Sequence, residues 1–246
     1  MDKHIRIIHP TIGPARDLGE LHHLERDDLR LSSVGLDVGP SELASQFEVA
    51  LGVPDTCAKV IAAEKEGVHA IVIDCMGDVG VAEARECVSI PILGPYETSL
   101  NVASLLGHKC SVATMVDEVI PVMGSFARKY GFEHNVASIR AINMDVASMM
   151  ENPAKRDKRL IELCRQLVVD DGADTIILGC TEMMGAEVPV NVALSAEGIN
   201  IVIIQPLTAA ITVAAALLDA GLTHSKRAFP TPRFGPTSGY EFLPRP

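Results

Sequence analysis

Two cysteines stand at matching places in two similar segments of the chain, 105 residues apart. Cys75 follows the run AIVID and precedes MGDVG, and Cys180 follows TIILG and precedes TEMMG. Both runs are short and rich in β-branched residues, which is typical of a strand buried on both faces of a parallel sheet. Because such strands end at the ligand crevice of an α/β fold, each segment is expected to place one thiol there. Two thiols suit the movement of a proton on and off one carbon from opposite faces.

Small residues around the two cysteines predict backbone N–H groups that face a ligand. Gly77 and Gly80 allow a tight turn after the first cysteine, and Gly179 and Thr181 flank the second. N–H groups at a helix N-terminus stabilise a thiolate or an oxyanion. The alternative interpretation of either cysteine is a small buried core residue.

Three further polar residues lie near the predicted strand ends. Asp78 and Glu182 each either cap a helix or orient a thiol. His9 ends the first strand and is either a ligand contact or a structural hydrogen-bond donor. A hydrolase is disfavoured because a nucleophile elbow has glycine two residues before the nucleophile, where Ile73 stands. The chain also has no P-loop and no complete GxGxxG after a strand.

Strands and helices alternate along the whole chain, which predicts an α/β fold with parallel sheets. The strands are predicted near 4–9, 30–36, 69–75, 90–93, 109–114, 137–142, 174–179 and 200–204. The helices are predicted near 14–24, 41–50, 55–66, 80–87, 97–106, 117–130, 155–171, 182–187 and 207–220, with a break at 52–54 caused by Pro54. The matched cysteine, glycine and proline positions favour an internal duplication.

The composition indicates a globular chain that acts on a small molecule. The 246 residues are 48% hydrophobic, and no apolar stretch is long enough for a membrane span. The net charge of −11 argues against a nucleic-acid partner. The six cysteines form no CxxC pair, and the start of the chain has no secretory pattern. We therefore expect a cytoplasmic protein with no structural zinc and no membrane partner.

The C-terminal segment 223–246 differs from the rest in its interleaved prolines and aromatic residues. Aromatic side chains left in water are unfavourable, so the segment is predicted to pack on the body of the chain or on a neighbouring subunit. Together with the small-residue helices near 97–106 and 207–220, it predicts a homo-oligomer.

The cysteine motifs resemble those of the aspartate/glutamate/hydantoin racemase superfamily, and most of all its hydantoin and allantoin racemase branch. Residues 75–80, CMGDVG, resemble the branch motif Cys-Phe-Gly-Asp-Pro-Gly, and residues 178–180 match its Leu-Gly-Cys. Residues 39–42, 111–114 and 225–229 are also similar to family segments. The resemblance covers nearly the whole chain.

This resemblance implies two pseudo-symmetric lobes, each a parallel sheet flanked by helices, with the active site in the cleft between them. It places one lobe at 1–95 plus 207–246 and the other at 96–206. It implies a racemase that needs no metal or other cofactor, with Cys75 and Cys180 as the two bases. The implied substrate contacts are His9, Thr11, Met76, Gly77, Asp78, Thr114, Gly179, Thr181, Glu182 and Gln205.

Several departures from the family pattern leave the substrate open, although it is expected to be anionic or imide-like. His9 and Gln205 replace the usual Asn and Asp at two strand ends, and Met76 replaces Phe. Residues 181–182 are more similar to the amino-acid racemases. One alternative is another enzyme of the superfamily, such as a maleate-type cis-trans isomerase or a hydrolytic variant. A second is a non-catalytic bilobed binding protein.

Overall fold

The computed structural model describes residues 2–235 and 238–244, and these residues form two parallel four-stranded sheets. The strand order is β2-β1-β3-β4 in the first sheet and β6-β5-β7-β8 in the second. The strands are β1 Lys3–Ile12, β2 Leu29–Leu36, β3 Ala70–Ile73, β4 Ile92–Leu93, β5 Cys110–Thr114, β6 Val136–Ala141, β7 Thr175–Leu178 and β8 Val202–Ile204. Since the second order repeats the first, the predicted pair of α/β sheets is confirmed.

Helices follow most of these strands, as the parallel connections require. They are α1 Gln46–Lys65, α2 Val81–Cys87, α3 Pro95–Leu106, α4 Ile120–Lys129, α5 Val146–Glu151, α6 Pro153–Val169, α7 Glu187–Ala196 and α8 Pro206–Asp219. Two 3-10 helices occupy Gly19–Leu24 and Asp117–Val119. No helix of the described residues is long and apolar enough to cross a membrane.

The internal contacts divide the chain into two compact units. The first unit is Met1–Pro95 with Ala210–Pro246, and the second is Tyr96–Ala209. The sequence predicts two domains, at 1–95 plus 207–246 and at 96–206. This division into domains stays a prediction.

The core of each unit lies on its central strands. Both β3 and β7 are buried along their whole length, and each pairs with a strand on either side. In the first unit, β3 packs with the buried face of α1. In the second unit, β7 packs with α6 and α7. A strand covered on both faces explains why both sequences are apolar without alternation.

Helix α1 continues through Pro54, so the predicted break at 52–54 is wrong. Proline in a helix interior costs about 3 kcal/mol because it removes an N–H and crowds the preceding turn. Contacts around it oppose this cost: Thr56 Oγ1 donates to the Gly52 carbonyl at 2.8 Å. The buried Asp55 carboxylate also accepts two backbone N–H groups that follow β2, at 2.6 and 2.9 Å. Tertiary packing therefore overrides the local signal.

Three other predicted helices differ from the structure. Residues 41–45, predicted to open the second helix, are not helical, and α1 begins at Gln46. Residues 14–18 form an irregular loop, and only the 3-10 helix at Gly19–Leu24 follows. Residues 182–186 form turns, because Gly185 has φ of +76° and a helix does not pass through that conformation. Helix α7 then begins at Glu187 with no side-chain cap, which explains why its start carries no sequence signal.

The first part of the tail packs on the first unit. His224 Nε2 lies 2.8 Å from the Ile92 backbone nitrogen, which donates to it. Lys226 Nζ donates to the Arg85 carbonyl at 3.1 Å near the end of α2. The Arg85 guanidinium lies 5.5 Å from the centroid of the Phe229 ring. Residues 236–237 and 245–246 of the predicted tail lie outside the described residues.

Candidate active site

Cys75 lies just beyond the carboxyl end of β3 and is half-buried. The Gly77 backbone N–H donates to Cys75 Sγ at 3.3 Å. A donor at the sulfur stabilises negative charge on it, so this hydrogen bond favours the thiolate. A Cβ on Gly77 would lie 3.5 Å from Sγ and 3.2 Å from Val49 of α1. Glycine therefore allows the backbone to approach the thiol closely.

A tight turn joins Cys75 to helix α2. The Asp78 N–H donates to the Cys75 carbonyl at 3.0 Å, and the Val81 N–H donates to the Asp78 carbonyl at 3.2 Å. Asp78 and Gly80 have φ of +43° and +71°, values in the left-handed region. Glycine adopts this region without strain, and aspartate is among the few other residues that tolerate it. The turn directs the backbone sharply from the strand into the helix.

A buried ion pair between Asp74 and Arg16 lies next to Cys75 in the chain. It was not identified from the sequence. The Asp74 side chain has no exposed surface, and Arg16, whose side chain is 6% exposed, forms an ion pair with it. His9 Nδ1 lies 3.4 Å from Asp74 Oδ2. Arg16 comes from the loop before the first 3-10 helix, 58 residues away, so no local pattern could have revealed this contact.

The Asp74 carboxylate is ionised in this environment. Burial alone raises the pKa of a carboxyl group, but here the hydrogen bond from His9 and the charge of Arg16 outweigh burial and hold the pKa of Asp74 below its usual value. An acid of this kind is stable in a core only when it is paired in this way.

Cys180 occupies the corresponding position in the second unit, after β7, and is 8% exposed. The Met183 N–H donates to the Cys180 carbonyl at 3.1 Å, and the Ala186 N–H donates to the Met183 carbonyl at 3.2 Å. Gly185 then takes positive φ, as Gly80 does in the first unit. Two backbone hydrogen bonds and the positive-φ glycine of the turn after Cys75 therefore recur after Cys180.

Gly179 is required by the close approach of β7 to β5. A Cβ at this position would lie 2.7 Å from Thr114 Cβ and 2.8 Å from Thr114 Cα, closer than real Cβ contacts. The buried Thr114 Oγ1 donates to the Gly179 carbonyl at 3.3 Å. Gly179 thus allows β7 to lie close to β5, so that Cys180 follows next to Thr114 at the end of β5.

Gln205 and Thr181 are held together behind Cys180. Gln205 Nε2 donates to the Thr181 carbonyl at 3.4 Å, and Gln205 Oε1 accepts the Thr208 N–H at 2.7 Å. Gln205 is buried, as is Thr181. The amide therefore ties the turn after β7 to the first turn of α8, which gives Gln205 a structural role whatever it contacts in a substrate.

The other predicted contacts sit at the same strand ends. Thr11 is half-buried on β1, where the register with β2 shifts between His9 and Ile12. Met76 is buried in the turn after Cys75, and Asp78 is buried with its carboxylate against Gly94. Glu182 is half-buried in the turn after Cys180. In each unit, the predicted residues thus gather at the carboxyl edge of one sheet.

The remaining cysteines lie in the cores rather than at these edges. Burial raises the pKa of Cys110 to about 11 and that of Cys164 to about 12. Cys57 and Cys87 share a hydrogen bond, which raises the pKa of the buried Cys57 thiol and lowers that of the half-buried Cys87. A thiol with a raised pKa is a poor proton carrier near neutral pH. The structure therefore does not favour Cys57, Cys110 or Cys164 as a base.

Comparison with known proteins agrees with this arrangement. The model of the Asp/Glu/Hydantoin racemase family matches residues 22–214. A hydantoin racemase of Rhizobium meliloti is 30% identical over 203 residues, which are 82% of each chain. One of Pseudomonas sp. (strain NS671) is 28% identical and covers 90% of this chain and 88% of its own.

The fold also matches a solved structure. Allantoin racemase from Klebsiella pneumoniae superimposes with a TM-score of 0.88 at 22% identity and covers 98% of both chains. Two parallel sheets of repeated order, each with a cysteine at the end of its third strand, are thus found together with matches over most of the sequence. The chain belongs to the Asp/Glu/Hydantoin racemase family, and it is an isomerase of the racemase class.

Proposed function

We propose that this protein racemises a small cyclic imide or ureide of the 5-substituted hydantoin type, with Cys75 and Cys180 as its two bases. The observation that carries the proposal is the equivalent position of the two thiols, each at the end of the central buried strand of its unit, followed by the same turn. The names of the two hydantoin racemases described above supply the substrate class.

The reaction needs a proton to leave one face of a carbon and another to reach the opposite face. One cysteine as thiolate takes the α-proton and becomes a thiol, while the other thiol gives its proton and becomes a thiolate. Negative charge collects on the adjacent carbonyl oxygen as the C–H bond breaks, and backbone N–H groups stabilise such charge. After one turnover the two cysteines have exchanged states, and no metal, pyridoxal phosphate or nicotinamide takes part.

Solvent exchange of the substrate hydrogen tests the proposal. Each enantiomer of 5-benzylhydantoin is incubated with the protein in D₂O, beside allantoin, aspartate, glutamate and maleate. We expect loss of optical rotation and deuterium incorporation at C5, at rates proportional to protein concentration and above the spontaneous rate without protein. Measurement uses polarimetry and ¹H NMR.

Other outcomes separate the competing interpretations. Turnover of maleate alone would favour a cis-trans isomerase, and a stable cysteine adduct or a ring-opened product would favour a hydrolytic variant. Tight binding with no exchange in any substrate would indicate a binding protein. Each of these results contradicts the hydantoin proposal.

We also propose that the protein is a cytoplasmic homo-oligomer. Support for assembly comes from apolar side chains exposed on helices α3 and α7, among them Leu105, Val188 and Val192. Support for a reducing compartment comes from the six cysteines, all without disulfide bonds. Light scattering of the full chain at micromolar concentration tests the assembly, and a monomeric mass contradicts it. Fractionation of the producing cell tests the location.

A further inference from the structure

The ion pair beside the first cysteine joins three separate parts of the first unit. Asp74 lies between β3 and Cys75, His9 lies near the end of β1, and Arg16 lies in the loop that follows. Backbone pairing places Ile8 beside Ile73, so the next residues of both strands, His9 and Asp74, are neighbours.

Arg16 is held from both of its ends. Its guanidinium forms the ion pair with Asp74, and its carbonyl accepts a hydrogen bond from Ser33 Oγ at 2.7 Å. Most of the surrounding residues in the loop 13–17 are exposed, whereas the Arg16 side chain is 6% exposed. The arginine therefore fixes an otherwise solvent-facing loop to the base of the cysteine strand.

The ionised Asp74 determines which ring nitrogen of His9 faces it as a hydrogen-bond donor. An ionised carboxylate has no proton to donate and only accepts hydrogen bonds. The atom of His9 that faces Asp74 Oδ2, at 3.4 Å, is Nδ1. This nitrogen must therefore carry the hydrogen, and the other ring nitrogen, Nε2, is left to interact elsewhere. The His9 side chain is 27% exposed, enough for its far edge to meet a ligand.

The corresponding position of the second unit has no histidine–carboxylate pair. Thr114 stands where His9 stands, and Gly179 stands where Asp74 stands, since the Asp74 N–H bonds to the Ile8 carbonyl as the Gly179 N–H bonds to the Ala113 carbonyl. No geometric requirement of the shared turn thus explains a buried acid at position 74. The buried acid is therefore specific to the first unit, where its partners are His9 and Arg16.

We propose that Asp74 and Arg16 are positioning residues that hold His9 with its Nδ1–H directed at Asp74, so that Nε2 is the polar atom offered to the substrate. Asp74 orients the ring, and Arg16 keeps Asp74 ionised and fixed. The role of His9 toward a substrate rests on the proposed racemase function, whereas the orientation of the ring does not.

Nitrogen NMR of the histidine ring tests the orientation without any substrate. The full chain is labelled with ¹⁵N-histidine, and His9 is assigned by the signal missing from the His9→Asn variant. We expect two-bond ¹H–¹⁵N correlations that show a hydrogen on Nδ1. In the double variant Asp74→Asn/Arg16→Gln, which removes both charges together, this preference is expected to be lost. A wild-type His9 with its only hydrogen on Nε2 overturns the proposal.

Kinetics with the double variant test the effect on the substrate. We expect KM to rise about fivefold, the loss typical of one hydrogen bond between neutral groups, with a smaller change in kcat. Adding His9→Asn to the double variant is expected to raise KM less than twofold further, because the ring is already misplaced. Full multiplication of the two effects contradicts a positioning role.

A second ion pair provides the matched control. Arg140, on β6, and Asp171, before the start of β7, form a partly buried pair in the second unit. Arg140→Gln/Asp171→Asn removes the same charges, and it is expected to leave KM within twofold of wild type. An equal rise in KM in both double variants would assign the effect to general destabilisation. If no substrate is turned over, the proposed function fails, while the NMR result still decides the orientation of His9.

Discussion

At the scale of single residues, the proposed chemistry depends on thiols that differ in their surroundings. Cys75 receives an N–H from Gly77, whereas Cys110 and Cys164 are buried with raised pKa values. The same residue type is thus a candidate base at position 75, where the sulfur is half-buried and receives a donor, and an inert core residue at positions 110 and 164.

Replacing either proposed base is expected to abolish racemisation. Serine is a far weaker base than cysteine, and removing a positioned acid or base typically costs ~10²–10⁴-fold in rate. Cys75→Ser and Cys180→Ser are each expected to retain substrate binding and to exchange deuterium slowly into one enantiomer only, with opposite preference. Chiral chromatography and NMR measure these rates. Cys164→Ala serves as the control and should keep activity, while near-normal racemisation by either serine variant would exclude the two-base mechanism.

His9 is expected to select the substrate rather than to transfer the proton. It lies at a strand end and differs from the family's usual asparagine at that position. We expect His9→Asn to change KM or the substrate profile more than kcat on the preferred substrate. Steady-state kinetics across the hydantoin and amino-acid panel measure this. A variant with normal substrate affinity and no proton exchange contradicts the assignment.

At the scale of elements, the position of each cysteine depends on the conformation of the chain at the end of its strand. Gly179 lies against Thr114 with no room for a side chain. Gly179→Ala is therefore expected to lower the free energy of unfolding by about 1–3 kcal/mol and to displace Cys180. Urea denaturation measures the stability. Gly124 in helix α4 is the control, since a Cβ there meets nothing within 4 Å and alanine should stabilise the helix by about 0.5–1 kcal/mol. Equal stability changes of the two variants would refute the packing argument.

The strands could be predicted from the sequence because short continuous apolar runs are typical of strands buried on both faces. All eight predicted strand regions contain a strand, and β3 and β7 end next to the cysteines. The continuity of α1 through Pro54 could not be predicted, because two of the contacts that support it, those of the Asp55 carboxylate, come from residues after β2. The Arg16–Asp74 pair was hidden for the same reason. Cys75, Cys180 and the substrate contacts stay predictions.

At the scale of the whole molecule, stability is expected to depend on pH through His4. Burial, followed by the charges of Arg30 and Arg6, lowers the pKa of His4 to about 4, whereas an unfolded histidine titrates near 6.5. Between these values, the unfolded chain binds a proton that the folded chain does not bind. The free energy of unfolding therefore falls as the pH drops from about 6.5 to about 4.

The variant His4→Gln tests this dependence. It removes the titrating ring and keeps a group that can hydrogen-bond to Ser32 Oγ, the present partner of His4 Nε2 at 2.6 Å. The difference in the free energy of unfolding between pH 7 and pH 4.5, from urea denaturation followed by circular dichroism, is expected to be smaller than in wild type. A difference of unchanged size contradicts the role of His4.

The two strand ends share a backbone but not their neighbours: His9 and Asp74 flank Cys75, while Thr114 and Gly179 flank Cys180. Mirror-image hydantoins have equal free energies in water, so their equilibrium constant is one. By the Haldane relation, the forward and reverse values of kcat/KM must then be equal, however unlike the two proposed bases are. The difference between the two strand ends can therefore appear only in kcat and KM separately. One enantiomer then has the lower KM and the lower kcat, and the other has both values higher by the same factor.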